Sequence, residues 1–173
     1  MTEYVFDTKH DRYPVAVHVI LTDGGGTVGS ADGGWIVGSA DGDGRVLLMR
    51  RAGSGYADGL LALPAGHVDL GETPTHCAIR EVGEELGISL DPGELNPAGV
   101  MFRRSLEPRV DIFFTTSAWC GTPTIREPNK CTQLVWANPA DLPDDTLDFV
   151  GQAITDARQG RHFHEYGWAR AAG

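Results

Sequence analysis

The spacing of apolar residues along the chain predicts five β-strands. Segment 13–21 alternates with a period of two, and both of its faces are largely apolar, which is typical of a strand inside a sheet. Four further apolar runs have the composition of strands. They cover residues 45–50, 99–104, 109–119 and 132–137. Five such strands are enough for a mixed sheet.

Two other segments repeat apolar residues at helical spacing. Thr73 can cap the first helix, Pro74 can take its first position, and Gly87 can adopt the left-handed conformation that ends it. The second helix is expected over about 146–158, with one of the two aspartates just before it as its cap. Its apolar face would consist of Leu147, Val150, Ile154 and Ala157.

A segment rich in glycine and aspartate separates the first two predicted strands. Within residues 23–44 the sequence GSADG occurs twice. Such a composition leaves little to bury and much backbone freedom to lose, so it predicts a flexible insertion in a single domain that spans 1–173. A lid, or a cation-binding loop around Asp41 and Asp43, is the alternative, but the other spaced oxygen ligands of a calcium loop are missing.

Composition and charge narrow the classes of function. A chain of 173 residues fits one domain, and its net charge of -10 opposes binding to a nucleic-acid polymer. The sequence has no apolar run of about 18 residues that would predict a membrane span, and its start does not resemble a signal peptide. Three widely spaced cysteines predict reduced thiols. We therefore expect a cytoplasmic protein without a membrane association.

The first predicted helix carries a dense group of acidic residues. Glu81, Glu84 and Glu85 fall on one arc, opposite an apolar arc that faces the core. Like charges at this spacing repel by a few tenths of a kcal/mol per pair, so a cation among them would explain their grouping. A solvated acidic face is the alternative that the helix alone leaves open.

The sequence around this helix resembles a known family signature. Residues 66–88, GHVDLGETPTHCAIREVGEELGI, fit the pattern G-x5-E-x7-R-E-U-x-E-E-x-G-U, where U is aliphatic. This pattern is the signature of the Nudix family, the MutT-like pyrophosphohydrolases. The resemblance implies an α/β (α+β) Nudix fold, a mixed β-sheet sandwiched between helices. The specified positions are Gly66, Glu72, Arg80, Glu81, Val82, Glu84, Glu85, Gly87 and Ile88.

The resemblance also implies a metal site. Its ligands would be Glu81, Glu84 and Glu85, together with the backbone carbonyl of Gly66. Glu127 is the candidate for a further ligand, because a loop before the last strand often supplies one in this family. Hard oxygen ligands suit Mg2+, with Mn2+ as the alternative ion.

The same resemblance implies an enzyme that cleaves a diphosphate linkage. The substrate would be a nucleoside di- or triphosphate, or a nucleoside diphosphate derivative, and a nucleoside monophosphate would be one product. Glu81 is the best candidate for general base, with Glu84 and Glu85 in the catalytic set, although a glutamate on a later loop can take the role of base. Arg80 would orient carboxylates. The alternatives are an inactive nucleotide sensor or interaction module, and an isomerase that uses Cys77.

Residues outside the signature are candidates for substrate binding. Arg103 and Arg104 end a predicted strand and would clamp phosphate, and Tyr56 and Phe114 would stack on a base. Surface charge for the arginines and core packing for the aromatic rings are the competing interpretations. The partner would be a small-molecule nucleotide. Subunit pairing is common among relatives, so a homodimer is compatible with the resemblance.

Overall fold

The computed structural model describes residues 13–24, 36–37 and 44–168. In these ranges the helices are α1 (Pro74–Leu86) and α2 (Asp148–Arg158), with a short 3-10 helix at Pro92–Glu94. The strands are β1 (Val15–Leu21), β2 (Ile36–Val37), β3 (Val46–Arg51), β4 (Leu61–Ala62), β5 (Ala65–His67), β6 (Asn96–Arg103), β7 (Arg109–Thr116), β8 (Ala118–Trp119), β9 (Cys131–Ala137) and β10 (Phe163–Tyr166).

The central sheet is mixed and has the strand order β10-β6-β7-β1-β5. β1 runs parallel to β7 on one side and antiparallel to β5 on the other. A second sheet has the order β4-β3-β9, and β2 pairs with β8. The five predicted strand segments all contain strands, whereas the short strands β2, β4 and β5 and the edge strand β10 were not predicted.

Helices cover the two faces of the central sheet. Alternate side chains of β1 point in opposite directions. Val17 and Val19 pack in a core cluster with Val82 and Leu86 of α1. Ile20 packs in a second cluster with residues of α2, which include Val150 and Ile154. The predicted mixed sheet between helices is thus confirmed.

The ends of α1 are as predicted. Thr73 caps the helix, since its side-chain oxygen accepts a hydrogen bond from the backbone N–H of His76 at 3.2 Å. Gly87 ends it with φ 69° and ψ 23°, a left-handed conformation that glycine adopts without a steric cost. The helix therefore places its acidic residues in the last two turns.

The start of α2 differs from the prediction. The helix begins at Asp148 with Leu147 before it, and no side chain caps it. Asp145, one of the two aspartates predicted as the cap, instead forms an ion pair with Arg50. Its backbone carbonyl accepts a hydrogen bond from Leu61. Asp145 is therefore bound to β3 and β4, and it does not cap the helix as predicted.

Most of the predicted insertion at 23–44 lies outside the described residues. The exceptions include Ile36 and Val37, which pair with Trp119 and Ala118. The assignment of 1–173 to a single domain stays a prediction. Among the helices of the described ranges, none has the length and apolar character that a membrane span requires.

Candidate functional site

Strand β5 brings the backbone of Gly66 against the side chain of Glu81. A Cβ atom added to Gly66 would lie 1.9 Å from Glu81 Cδ and Oε1, so no larger residue fits here without moving the carboxylate. Gly66 pairs with Val17 in the centre of β1, which fixes the strand. Gly66 and Glu81, which are 15 positions apart in the sequence, are therefore in close contact between strand and helix.

Arg80 lies at the centre of the acidic group. Its Nε and Nη2 donate to the two oxygens of Glu72, each at 2.9 Å. Its Nη1 donates to Glu81 Oε1 at 2.6 Å and to Glu84 Oε2 at 3.4 Å. These hydrogen bonds raise the pKa of Arg80 and lower the pKa of Glu72 to about 2. The structure brings Arg80 to the carboxylates it was expected to orient, and its catalytic role stays a prediction.

Glu85 is the least solvated carboxylate of the group. Its Oε2 accepts a hydrogen bond from the backbone N–H of Ala65 at 3.1 Å. Burial raises the pKa of Glu85 to about 8, and the neighbouring charges of Glu81 and Glu127 add to that increase. Burial also raises the pKa of Glu81, against the opposing effect of Arg80. Two carboxylates that share a poorly solvated site are strongly stabilised by a cation.

Glu127 lies on the loop before β9, near enough to Glu85 for its charge to act on that carboxyl. Its role as a further ligand stays a prediction. Glu127 Oε1 accepts a hydrogen bond from Lys130 Nζ at 2.8 Å. The sequence analysis did not predict a role for Lys130. Its position three residues after Glu127 could have indicated this ion pair.

The carboxylate oxygens of this group suit a divalent ion, but two of the carboxylates form ion pairs with basic side chains. In the ranges that the structure describes, no three acidic, histidine or cysteine side chains converge closely enough to hold an ion. Arg80 holds Glu81, and Lys130 holds Glu127. The oxygens are nevertheless hard donors, and the carboxylates around Glu85 repel one another. The chemistry of these residues therefore suits a divalent ion, provided that the ion pairs rearrange.

The stability of the metal-free protein is expected to fall between about pH 5 and pH 8. The pKa of Glu85 is about 8 in the folded chain against an ordinary 4.5. In that interval the folded state binds a proton that the unfolded state lacks, so stability decreases as the pH rises, by up to about 1.4 kcal/mol per pH unit. Thermal unfolding in EDTA across this range measures the slope.

Two controls belong to this pH experiment. Glu85→Gln removes the titrating group, so its slope should be shallower than that of the unmodified chain. Added Mg2+ should restore stability chiefly at the high-pH end, where the carboxylates are ionised. Equal slopes with and without Glu85 would contradict the assignment of the proton to this side chain.

Arg103, a predicted phosphate clamp, lies in a buried ion pair, and a role in phosphate binding stays a prediction. Arg103 is buried, its Nε donates to Asp111 Oδ2 at 2.6 Å, and its guanidinium lies 3.9 Å from the ring centre of Phe149. The other oxygen of Asp111 lies 3.3 Å from His18 Nε2. Asp111 lies on β7, is fully buried and contacts both Arg103 and His18. No local pattern links His18 to Asp111, which is 93 positions away, so the sequence analysis missed this pairing.

The other three substrate candidates lie in different surroundings. Phe114 is buried in the core cluster beneath α1, as the competing interpretation of core packing expected, and stacking on a base stays a prediction. Tyr56 is half exposed on the loop before β4, with Arg51 over its ring. Arg104 is exposed and lies over the ring of Trp168, beside β10. Of the four, Tyr56 is the aromatic candidate that remains accessible.

Replacing Asp111 with asparagine is expected to destabilise the fold by about 3–5 kcal/mol, because it leaves the buried Arg103 charge without a partner. Urea unfolding measures the loss. Asp145→Asn is the matched control, since Asp145 forms a more exposed ion pair with Arg50 and its loss should cost less than about 1 kcal/mol. Similar losses in both variants would contradict a special role for burial at Asp111.

Comparisons with known proteins place this geometry in context. The model of the NUDIX domain matches residues 33–157. A MutT-like protein from Streptomyces ambofaciens is 30% identical over 122 residues, which are 70% of this chain and 73% of that protein. The 8-oxo-dGTP diphosphatase of Escherichia coli (strain K12) is 28% identical over 101 residues, which are 57% of this chain and 77% of that enzyme.

Solved structures share the fold. A MutT NUDIX hydrolase from Burkholderia pseudomallei has a TM-score of 0.66 at 24% identity, and the match covers 84% of this chain and 98% of the other. The NUDIX domain of Shewanella oneidensis NrtR, solved with ADP ribose, has a TM-score of 0.63 at 19% identity, with 90% and 93% covered. At these identities the likeness concerns the fold alone.

Proposed function

Because this chain belongs to the NUDIX family of hydrolases that act on phosphoanhydride bonds, we propose that it is a Mg2+-dependent pyrophosphohydrolase of nucleotides. The substrate is a nucleoside di- or triphosphate, or a nucleoside diphosphate derivative. Cleavage of its diphosphate linkage gives a nucleoside monophosphate and phosphate, pyrophosphate or a phosphorylated product. The similarity to an 8-oxo-dGTP diphosphatase supports a nucleotide substrate.

The intact acidic group carries the proposal. Glu81, Glu84 and Glu85 supply carboxylates on one helix, and the backbone of Gly66 lies against Glu81. Glu127 approaches from a separate loop, near enough for its charge to act on Glu85. On a helix face that is merely solvated, carboxylates stay exposed and keep their ordinary pKa. Burial of Glu85 instead raises its pKa to about 8, as is common at functional sites.

Each residue has a separable task in this proposal. These carboxylates and the Gly66 carbonyl would hold a divalent ion, which would supply neutralisation of phosphate charge and a more acidic water molecule. Glu81 is the candidate general base, and among the described residues its Oε2 accepts no hydrogen bond, whereas its Oε1 is held by Arg80. Arg80 fixes that orientation through its paired bonds to Glu72. Positioning and charge stabilisation supply the rate enhancement.

A substrate panel tests the proposal. Canonical, oxidised and methylated nucleoside di- and triphosphates, ADP-ribose, dinucleotides and nucleotide sugars are each incubated with Mg2+, and the products are separated and identified by mass. We expect turnover that requires the metal and yields a nucleoside monophosphate. No turnover of any member, with nucleotide still bound, would support the alternative of a nucleotide sensor or interaction module.

A further inference from the structure

Lys130 is held in place by its backbone. Its N–H donates to the carbonyl of Glu127 at 2.9 Å, and its own carbonyl accepts from the N–H of Ala52 at 2.8 Å. The N–H of Cys131 also donates to Glu127, at 3.0 Å. The turn is therefore fastened to the end of β3 and to the start of β9. These hydrogen bonds fix the position of the Lys130 backbone, from which its side chain extends.

The ammonium group of Lys130 belongs to the acidic site. Lys130 Nζ lies 2.8 Å from Glu127 Oε1. Burial raises the pKa of Glu81 and of Glu85, and the charge of Lys130 opposes that increase at both carboxyls. Arg80, the other cation at this site, is committed to Glu72, Glu81 and Glu84. Lys130 is thus the cation that faces the loop side of the carboxylate group.

We propose that Lys130 is a built-in competitor of the divalent ion for the Glu127 carboxylate, and so sets the metal concentration at which the site fills. This inference rests on the proposed function only in that Glu127 is taken as a metal ligand. In the absence of metal, the ammonium holds Glu127 Oε1. Metal binding releases the ammonium, which is attached by a flexible stem and is largely exposed, so it can move into solvent.

The competition has a definite sign. An ammonium near the carboxylates repels an incoming divalent cation and occupies one of its oxygens. Removing the ammonium should therefore strengthen metal binding. If Lys130 only held Glu127 in the geometry needed for coordination, its removal would weaken metal binding instead. The two roles predict opposite changes in one measured constant.

Mn2+ binding to the full chain without substrate, followed by electron paramagnetic resonance, tests the proposal. Lys130→Met should bind Mn2+ more tightly, by roughly three- to tenfold for a partly exposed charge interaction. Lys130→Arg, which keeps the charge, should bind close to the original strength. Weaker or unchanged Mn2+ binding in Lys130→Met would overturn the competitor role.

Arg126→Gln is the matched control, because it removes a positive charge from the same loop. The Arg126 side chain lies beside Gly87 and forms no ion pair among the described residues. Its removal should leave Mn2+ affinity unchanged, and a gain equal to that of Lys130→Met would reduce the effect to net charge and overturn the proposal. The titration needs no turnover, so an inactive result on the substrate panel would reject the proposed function without touching this test.

Discussion

Replacing Glu85 with glutamine is expected to lower kcat by on the order of 10³-fold, because the variant loses a charge that holds the metal ion beside the phosphate. The same change should raise the stability of the metal-free protein at pH 8. The amide oxygen can keep the hydrogen bond from Ala65, and the charge that burial and Glu81 disfavour is gone. Turnover with Mg2+ and thermal unfolding in EDTA measure the two effects.

A rise in stability together with a loss of activity would distinguish loss of the metal-binding charge from a folding defect. A simple folding defect lowers both quantities, so it cannot imitate this result. Glu165→Gln on the exposed edge of β10 is the control, and it should leave turnover and unfolding near their original values. Unchanged turnover in Glu85→Gln would remove this carboxylate from the catalytic set.

Replacing Gly66 with alanine is expected to lower kcat by on the order of 10²-fold, because it displaces the Glu81 carboxylate from its place against β5. The added Cβ would meet Glu81 Cδ at 1.9 Å, and the side chain must swing away. The fold should lose only about 1 kcal/mol, since the contact is with the end of a flexible side chain. Steady-state kinetics and urea unfolding separate the two quantities.

Gly83→Ala supplies the matched glycine control. Gly83 lies two positions from Glu81 in α1, but an added Cβ there would be 3.8 Å from the nearest atom, the Ile88 carbonyl oxygen. Alanine should therefore keep activity and add about 1 kcal/mol of stability through its better helix propensity. If Gly66→Ala behaved like Gly83→Ala, close packing against Glu81 would have no part in catalysis.

The sequence predicted the features that depend on neighbouring residues only. The two ends of α1, at Thr73 and Gly87, are examples, because helix capping involves residues within one helical turn. The signature placed Gly66, Arg80 and the glutamates together because a family pattern already encodes their long-range contact. The cap of α2 was predicted wrongly, because Asp145 serves an ion pair with Arg50, which is distant in the sequence.

The buried polar cluster could not be predicted from local pattern. His18 and Asp111 meet across 93 positions of sequence, and only the parallel pairing of β1 with β7 brings them together. Arg103 likewise faces Asp111 because β6 and β7 are antiparallel neighbours. Sheet register is a global property, so a side chain at the end of a strand can be interior or exposed with the same local sequence.

The left-handed end of α1 at Gly87 has an electrostatic consequence for the whole site. The carbonyl ends of a helix give it a partial negative charge at its C-terminus. The last turn of α1 contains Glu84 and Glu85 and no basic residue of its own, and Arg126 beside Gly87 offsets that charge only from outside the helix. The helix dipole therefore adds to the attraction for a cation, and the ion in turn relieves the repulsion that the metal-free helix end carries. Metal binding should accordingly protect the amide protons of this turn from exchange more than those at the capped N-terminus.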